Sequence, residues 1–392
     1  MESRKSSQLP SVLLCANHVG AVPNGPAKFA NLLLRFKDTL SLSVNLQVLT
    51  PDTTPTQYDG ADWFHRTKVV RPGVFGGPSY HIALGRAYRS KIKELERATP
   101  FDLIIFNELT PSVILPQTTG RTTIGMINDA KTARPSLSAL GSIASFASRA
   151  AIGLLQRRAA RKLDYVVFNS QYLADHISSA WKIPAQKQLV LYKAVDMDNL
   201  AYQPRAPDGT ATINVLFLKT HALIGGLVDV YRALLQLKEY TIKLTVIGPQ
   251  PSEVDKLIGP VPNTVGHLSI EKLGRQPQTE VVRHLMAAHI FCVPSHSEAL
   301  GVANIEAMAC GVPVVTSTVG GIPEVTDGGR NAWVSAPGDV DELTSSLRAC
   351  IEQSTVALRK VKAARAFVHN RFAAREMIDR FTTICLNCKA KA

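Results

Sequence analysis

Several features are scarce in this chain, and each scarcity excludes a class. It has six cysteines in 392 residues, too few for a scaffold built on disulfides. No apolar run approaches the ~20 residues needed to span a bilayer. The first apolar stretch, residues 12–16, stops at Asn17 and His18. That is too short for the core of a secretory signal, so it reads as a buried strand and a cytoplasmic location is expected. Charged residues make up only 19% against 45% hydrophobic, which excludes a disordered chain. Acidic residues are the scarcer charge, 31 against 44 Lys plus Arg, for a formal net charge of +13. The excess fits an anionic partner: nucleic acid, an acidic membrane face or a phosphorylated ligand. Nucleic acid is set aside, because the basic residues are dispersed and no aromatic–basic recognition motif accompanies them.

What is present is an alternation. Apolar runs at residues 11–16, 46–49, 101–106, 122–127 and 165–168 read as buried strands. Helical spacing fills residues 27–36, 79–98 and 141–162 between them. The pattern restarts at residues 213–218, passes Gly225 and Gly226, and continues with a helix over 227–237. Further strands follow at 242–248, 290–293 and 312–315. Such alternation predicts an α/β chain with parallel sheets in two doubly wound domains. Pro204, Pro207 and Gly209 punctuate a polar stretch between residues 194 and 212, where the boundary is expected. The expected division is residues 1–195, 196–371 and a terminal 372–392.

Chemistry concentrates in residues 293–343. The order there is strand, polar loop with Glu298 and Gly301, helix from near Val302 carrying Glu306, Gly311 and another strand. A helix that starts behind a glycine turns its positive end and free N–H groups toward a phosphate. A carboxylate beside such a site suits sugar hydroxyls better than the phosphate.

Glu298 and Glu306 are separated by seven residues, within Ser-Glu-Ala-Leu-Gly and Ile-Glu-Ala-Met-Ala-Cys-Gly-Val-Pro. The block resembles the E-x7-E motif of glycosyltransferase family 4. Gly320-Gly-Ile-Pro-Glu-Val, Asp327-Gly-Gly-Arg-Asn-Ala-Trp and Gly274-Arg275 are similar to neighbouring blocks of that family. The resemblance implies a GT-B fold, two Rossmann-like domains facing a central cleft. It implies a retaining transfer from a nucleoside-diphosphate sugar to a sugar, lipid-linked or small-molecule acceptor, with no metal and no other cofactor. By residue, it implies that Glu306 holds the donor ribose and that Glu298 contacts the donor sugar. Ala299, Leu300 and Gly301 would cradle the sugar and distal phosphate. Gly25 and Lys28 would approach the leaving phosphate from the first domain. The last helix, after Phe372, would cross back onto that domain.

The chain also departs from the family. An Arg and a Lys that bind the diphosphate are expected after the first strand of the second domain, but Thr220 and Gly225 stand there. Lys219 is the nearest replacement, with Arg275 and Lys193 further off. A His expected after a central strand of the first domain is replaced by the region of Asn128 and Asp129, which become the candidate catalytic residues beside Glu298. Glu108 is a candidate acceptor-site residue or a turn. The missing pair motivates one alternative, a non-catalytic binding or scaffold protein; a second, a GT-B epimerase, is opposed by the Glu298–Glu306 block.

Other motifs read more plainly. Asp196-Met-Asp198 sits at the boundary and reads as a turn. Cys15, Cys292 and Cys310 read as core. Cys385 and Cys388 read as incidental residues of a terminal tail, since a zinc site needs about four ligands. The basic stretch around Arg149, Arg157, Arg158, Arg161 and Lys162 reads as an ordinary helix with a solvated face. A peripheral contact with an anionic membrane face is its alternative.

Overall fold

The computed structural model describes residues 9–20, 25–41, 43–52, 55–70, 77–115, 120–128, 143–207, 209, 211–260 and 264–389. Its contacts divide into two units: unit 1, Met1–Lys193 with Met377–Ala392, and unit 2, Ala194–Glu376.

Unit 1 holds strands β1 (Ser11–Cys15), β2 (Asn45–Pro51), β3 (Phe64–Thr67), β4 (Leu103–Phe106), β5 (Thr122–Ile127), β6 (Tyr165–Phe168) and β7 (Gln188–Val190). They form one parallel sheet in the order β3-β2-β1-β4-β5-β6-β7. Its helices are α1 (Gly25–Arg35), α2 (Lys37–Ser41), α3 (Pro78–Leu95), α4 (Ile143–Lys162) and α5 (Gln171–Trp181). The central strands are apolar at consecutive positions because helices cover both faces; Leu103, Ile104, Ile105 and Phe106 are all buried.

Unit 2 repeats the plan with β8 (Ile213–Leu218), β9 (Ile242–Ile247), β10 (Thr264–Val265), β11 (Leu268–Gly274), β12 (Ile290–Val293), β13 (Val314–Ser317) and β14 (Trp333–Ser335). The order is β10-β11-β9-β8-β12-β13-β14, parallel except for the β10–β11 pair. Helices α6 (Leu227–Gln236), α7 (Pro251–Ile258), α8 (Gln278–Ala287), α9 (Val302–Cys310), α10 (Ile322–Val325), α11 (Val340–Glu352) and α12 (Ser354–Phe372) complete it.

The chain returns to unit 1 through α13 (Ala374–Lys389). Val195 N–H donates to Phe372 O at 2.9 Å and Ala374 N–H donates to Val195 O at 3.0 Å, so the outgoing and returning segments are bonded to each other. Met377, Ile378, Phe381, Cys385 and Cys388 form one buried stripe of α13. Phe381 meets Phe29 edge-on at 6.4 Å, and Thr122 Oγ1 donates to Cys388 O at 3.2 Å. The tail reading of Cys385 and Cys388 is therefore corrected: both are core residues of a packed helix.

Strands β3, β7, β10, β11 and β14 were not foreseen, and β13 runs to Ser317 rather than ending at Val315. In α4, Arg158 and Arg161 face solvent beside exposed Leu154, while Arg149, Arg157 and Lys162 are half-buried. Among the described residues, no helix is long and apolar enough to cross a membrane.

Candidate functional site

In unit 2 the chain builds one side of the sheet from β8 through β9 to β11, then jumps back to place β12 on the other side of β8. The order reverses between β8 and β12, and in such sheets ligands bind in the crevice beyond the carboxyl ends at that reversal. Two loops border it: residues 219–226 after β8 and residues 294–301 after β12.

A third loop pins the second. Gly320 has φ +62°, and a Cβ there would lie 1.9 Å from Glu298 O. No side chain fits, so backbone rests on backbone, and Gly321 N–H donates to Glu298 O at 3.2 Å. From β13, Thr316 Oγ1 donates to Val293 O at 2.9 Å and Ser317 Oγ donates to Ser295 O at 2.6 Å. Gly301 caps α9 without a side chain, leaving the first N–H groups of that helix for another acceptor.

Charged groups gather on this frame. Lys219 Nζ is ion-paired with Glu298 Oε2, and both side chains are about one-fifth exposed, at 20% and 21%. The other Glu298 oxygen accepts from Ala299 N–H at 3.0 Å. Glu306 lies one turn into α9, 7% exposed, with Gln278 Nε2 of α8 at 3.5 Å from its Oε1. Burial, with the nearby Glu306 carboxylate adding, pushes the Cys310 thiol up to about 11. Among the described residues, Asn304, also buried on α9, has no hydrogen-bond partner for Oδ1.

At position 225 packing leaves no room for the second expected cation. A Cβ at Gly225 would stand 2.8 Å from Lys219 Cγ and 2.7 Å from Phe217 Cζ. The Lys219 stem occupies the space that a side chain at 225 would need. Lys219 is thus neither a fully solvated strand-end lysine nor an unpaired cation; it is the partner of Glu298. Thr220 is exposed. Arg275 is exposed at the carboxyl end of β11, two strands away from β8, and makes no ion pair among the described residues. The structure therefore brings together Lys219, Glu298, Ala299, Leu300 and Gly301 with Glu306 on the following helix, and places Arg275 at the same carboxyl edge of the sheet, two strands from Lys219.

The first-domain candidates belong to unit 1. Gly25 begins α1 and Lys28 is exposed on it. Asp129 lies outside the described residues. Asn128 is one of a row of asparagines that follow the strand ends: Asn17 after β1, Asn107 after β4, Asn128 after β5 and Asn169 after β6. Asn128 Nδ2 donates to Asn107 O at 2.8 Å, and Asn169 Nδ2 donates to Asn128 O at 2.9 Å. Asn17 Nδ2 donates to the Glu108 carboxylate, and Tyr88 OH donates to Asn17 Oδ1 at 3.1 Å. Burial holds the Tyr88 phenol well above its ordinary value, so it stays a donor.

The reading of the sequence passed over several residues at these strand ends. His296 Nε2 pairs with Asp229 Oδ2 at 2.5 Å, across 67 residues of chain. Ser-His-Ser-Glu was visible as a string, but nothing in it announced the partner on α6. The asparagine row arises only when four strands align their ends.

Two Rossmann-like units, with charged loops at the strand-order reversal of the second, define a protein of the GT-B class. Residues 212–367 match the family described as Glycosyl transferases group 1, and residues 40–199 match Glycosyltransferase Family 4. Both matching families are of glycosyltransferases, and the two matches lie one in each half of the chain. The chain is 27% identical over 207 residues to a glycogen synthase of Mycobacterium tuberculosis, covering 52% of this chain and 50% of that protein. The alignment thus spans about half the length of that relative. Its fold is similar to the sucrose-phosphate synthase of Thermosynechococcus elongatus, with TM-score 0.75 and 14% identity over 98% of this chain and 100% of that one. It is also similar to Anabaena Alr3699/HepE, solved in complex with UDP-glucose, with TM-score 0.68, 17% identity and coverage of 96% and 99%.

Proposed function

We propose that this chain is a retaining glycosyltransferase that moves a sugar from a nucleoside-diphosphate sugar to an acceptor hydroxyl. The observation that carries the reading is the cluster at the β8–β12 reversal: Lys219 paired with Glu298, the uncapped start of α9, and buried Glu306 one turn on. In this reading the diphosphate lies against the α9 N–H groups, where a helix start favours negative charge. The UDP-glucose bound by the Anabaena relative supports the same donor class here.

The parts have distinct tasks. Glu306 accepts from ribose hydroxyls, as an acceptor-only carboxylate held one turn into α9 can. Glu298 accepts from hydroxyls of the transferred sugar, and Lys219 shifts from Glu298 toward the phosphates. During transfer the bond between the anomeric carbon and the diphosphate oxygen breaks. A bond to the acceptor oxygen forms on the same face, and the acceptor proton passes to the leaving phosphate. Charge that develops on the leaving diphosphate meets donors already in place.

The test is calorimetric titration with UDP, GDP and ADP and their glucose or mannose conjugates. One nucleotide should bind, and Glu306→Ala should weaken it by a factor of about 30 or more, the loss expected when a charged hydrogen-bond acceptor is removed. Equal affinity in a folded Glu306→Ala protein contradicts the assignment. No binding by the wild type across the panel moves the non-catalytic reading ahead.

A further inference from the structure

We propose that His296, locked by Asp229, is a phosphate-binding residue whose ring takes up a proton as the donor diphosphate binds. This rests on the donor reading given above and supplies a cation that the sequence pattern lacks.

The position comes first. His296 lies in the loop after β12, two residues before Glu298. Its backbone N–H donates to Ile224 O, 2.8 Å away in the facing loop after β8. A Cβ on Gly338, in the loop before α11, would stand 3.9 Å from His296 Cε1. The ring therefore sits where three carboxyl-end loops meet, and its side chain is 45% exposed.

The partner fixes the chemistry. Asp229, in the first turn of α6, has a side chain only 11% exposed. Its carboxylate can only accept, so the Nε2 that bonds it at 2.5 Å carries the hydrogen. In the neutral ring, Nδ1 is then a lone pair. A phosphate oxygen is also an acceptor and has nothing to offer that lone pair. Contact becomes favourable only when Nδ1 gains a proton, which makes the ring an imidazolium between two anions. Among the described residues, Nδ1 has no protein partner.

The surrounding charges leave this role open. Lys219 is paired with Glu298. Asp339, next to Gly338, accepts from Glu342 N–H at 2.9 Å at the start of α11. Asp229 faces the ring from α6. With Thr220 and Gly225 in the expected cationic positions, His296 is the added donor that the crevice can charge when a diphosphate arrives.

The experiment is titration of the wild type, His296→Ala and His296→Gln with UDP, GDP and ADP, and with the matching nucleosides. Each is run near a pH of about 7 in buffers of different ionisation enthalpy, so that heat reports protons exchanged. His296→Gln can still bond Asp229 but cannot take up the proton, which guards against a folding defect in His296→Ala. The wild type should take up protons on binding its preferred diphosphate. Both variants should lose that uptake and bind the diphosphate about tenfold more weakly, as for loss of one charge-assisted hydrogen bond, with the nucleoside unchanged within about twofold. Unchanged uptake or unchanged diphosphate affinity in His296→Gln overturns the inference alone. A wild type that binds no member of the panel overturns it together with the donor reading.

Discussion

In unit 1 asparagines follow strands β1, β4, β5 and β6: Asn107, Asn128 and Asn169 are linked in series, and Asn17 is bonded to Tyr88 and Glu108. In unit 2, with the same plan of seven strands, the loops after β8 and β12 carry Lys219, His296 and Glu298, with Glu306 on the next helix. The scaffold is shared and the chemistry at its rim is not. In unit 1 the Asn128 and Asn169 amides donate to backbone carbonyls of the neighbouring strand end, which needs no counter-charge. Buried ions cost more to desolvate and hold together only with a counter-charge, so they are suited to a ligand that brings charge of its own. The comparison teaches that strand order sets where a site can be and the residues after each strand decide what it can hold.

The comparison is most sharply broken at Gly320. Gly320→Ala places a methyl 1.9 Å from Glu298 O at a φ of +62°. It should cost about 2–4 kcal/mol in denaturant unfolding and abolish nucleotide binding. A variant of wild-type stability that binds normally would show that the third loop does not hold the site. Next in size is Glu306→Ala, with the factor of about 30 given above. Smaller is Asn128→Ala in unit 1. It removes one neutral hydrogen bond and should cost about 1 kcal/mol of stability while leaving nucleotide affinity within about twofold. A large loss of nucleotide affinity would break the contrast between an amide rim and a charged rim.

The smallest effect concerns the thiols. All six cysteines are free and buried. Burial pushes the thiols of Cys15, Cys292, Cys350 and Cys385 well above their ordinary value. The native protein should react with a thiol reagent at neutral pH only as fast as it unfolds. Rapid reaction of Cys385 or Cys388 would contradict the packed α13.

Much of the fold was legible because buried parallel strands are written as continuous apolar runs. Residues 122–127, 165–168, 213–218 and 290–293 became β5, β6, β8 and β12 without a shift. Strands β3, β7, β10 and β14 are short and lie at or near sheet edges, while β11 alternates in burial, so none carries such a run. The Glu298–Glu306 block was legible because its residues are contiguous in the chain. Pairs made by folding were not: His296 with Asp229 and the asparagine row depend on which strand ends lie side by side. The α13 stripe is present in the sequence at helical spacing, but Cys385 and Cys388, three apart near a terminus, also fit an incidental pair in a tail.

In the proposed reading Lys219 leaves Glu298 for the donor diphosphate and stands in for one of the two missing cations. That central claim is tested most directly by comparing nucleoside diphosphate with monophosphate affinity in the wild type and in Lys219→Met. The account predicts that the wild type prefers the diphosphate and that Lys219→Met loses about tenfold of that preference, while monophosphate affinity hardly moves. An undiminished preference in the folded variant would contradict it.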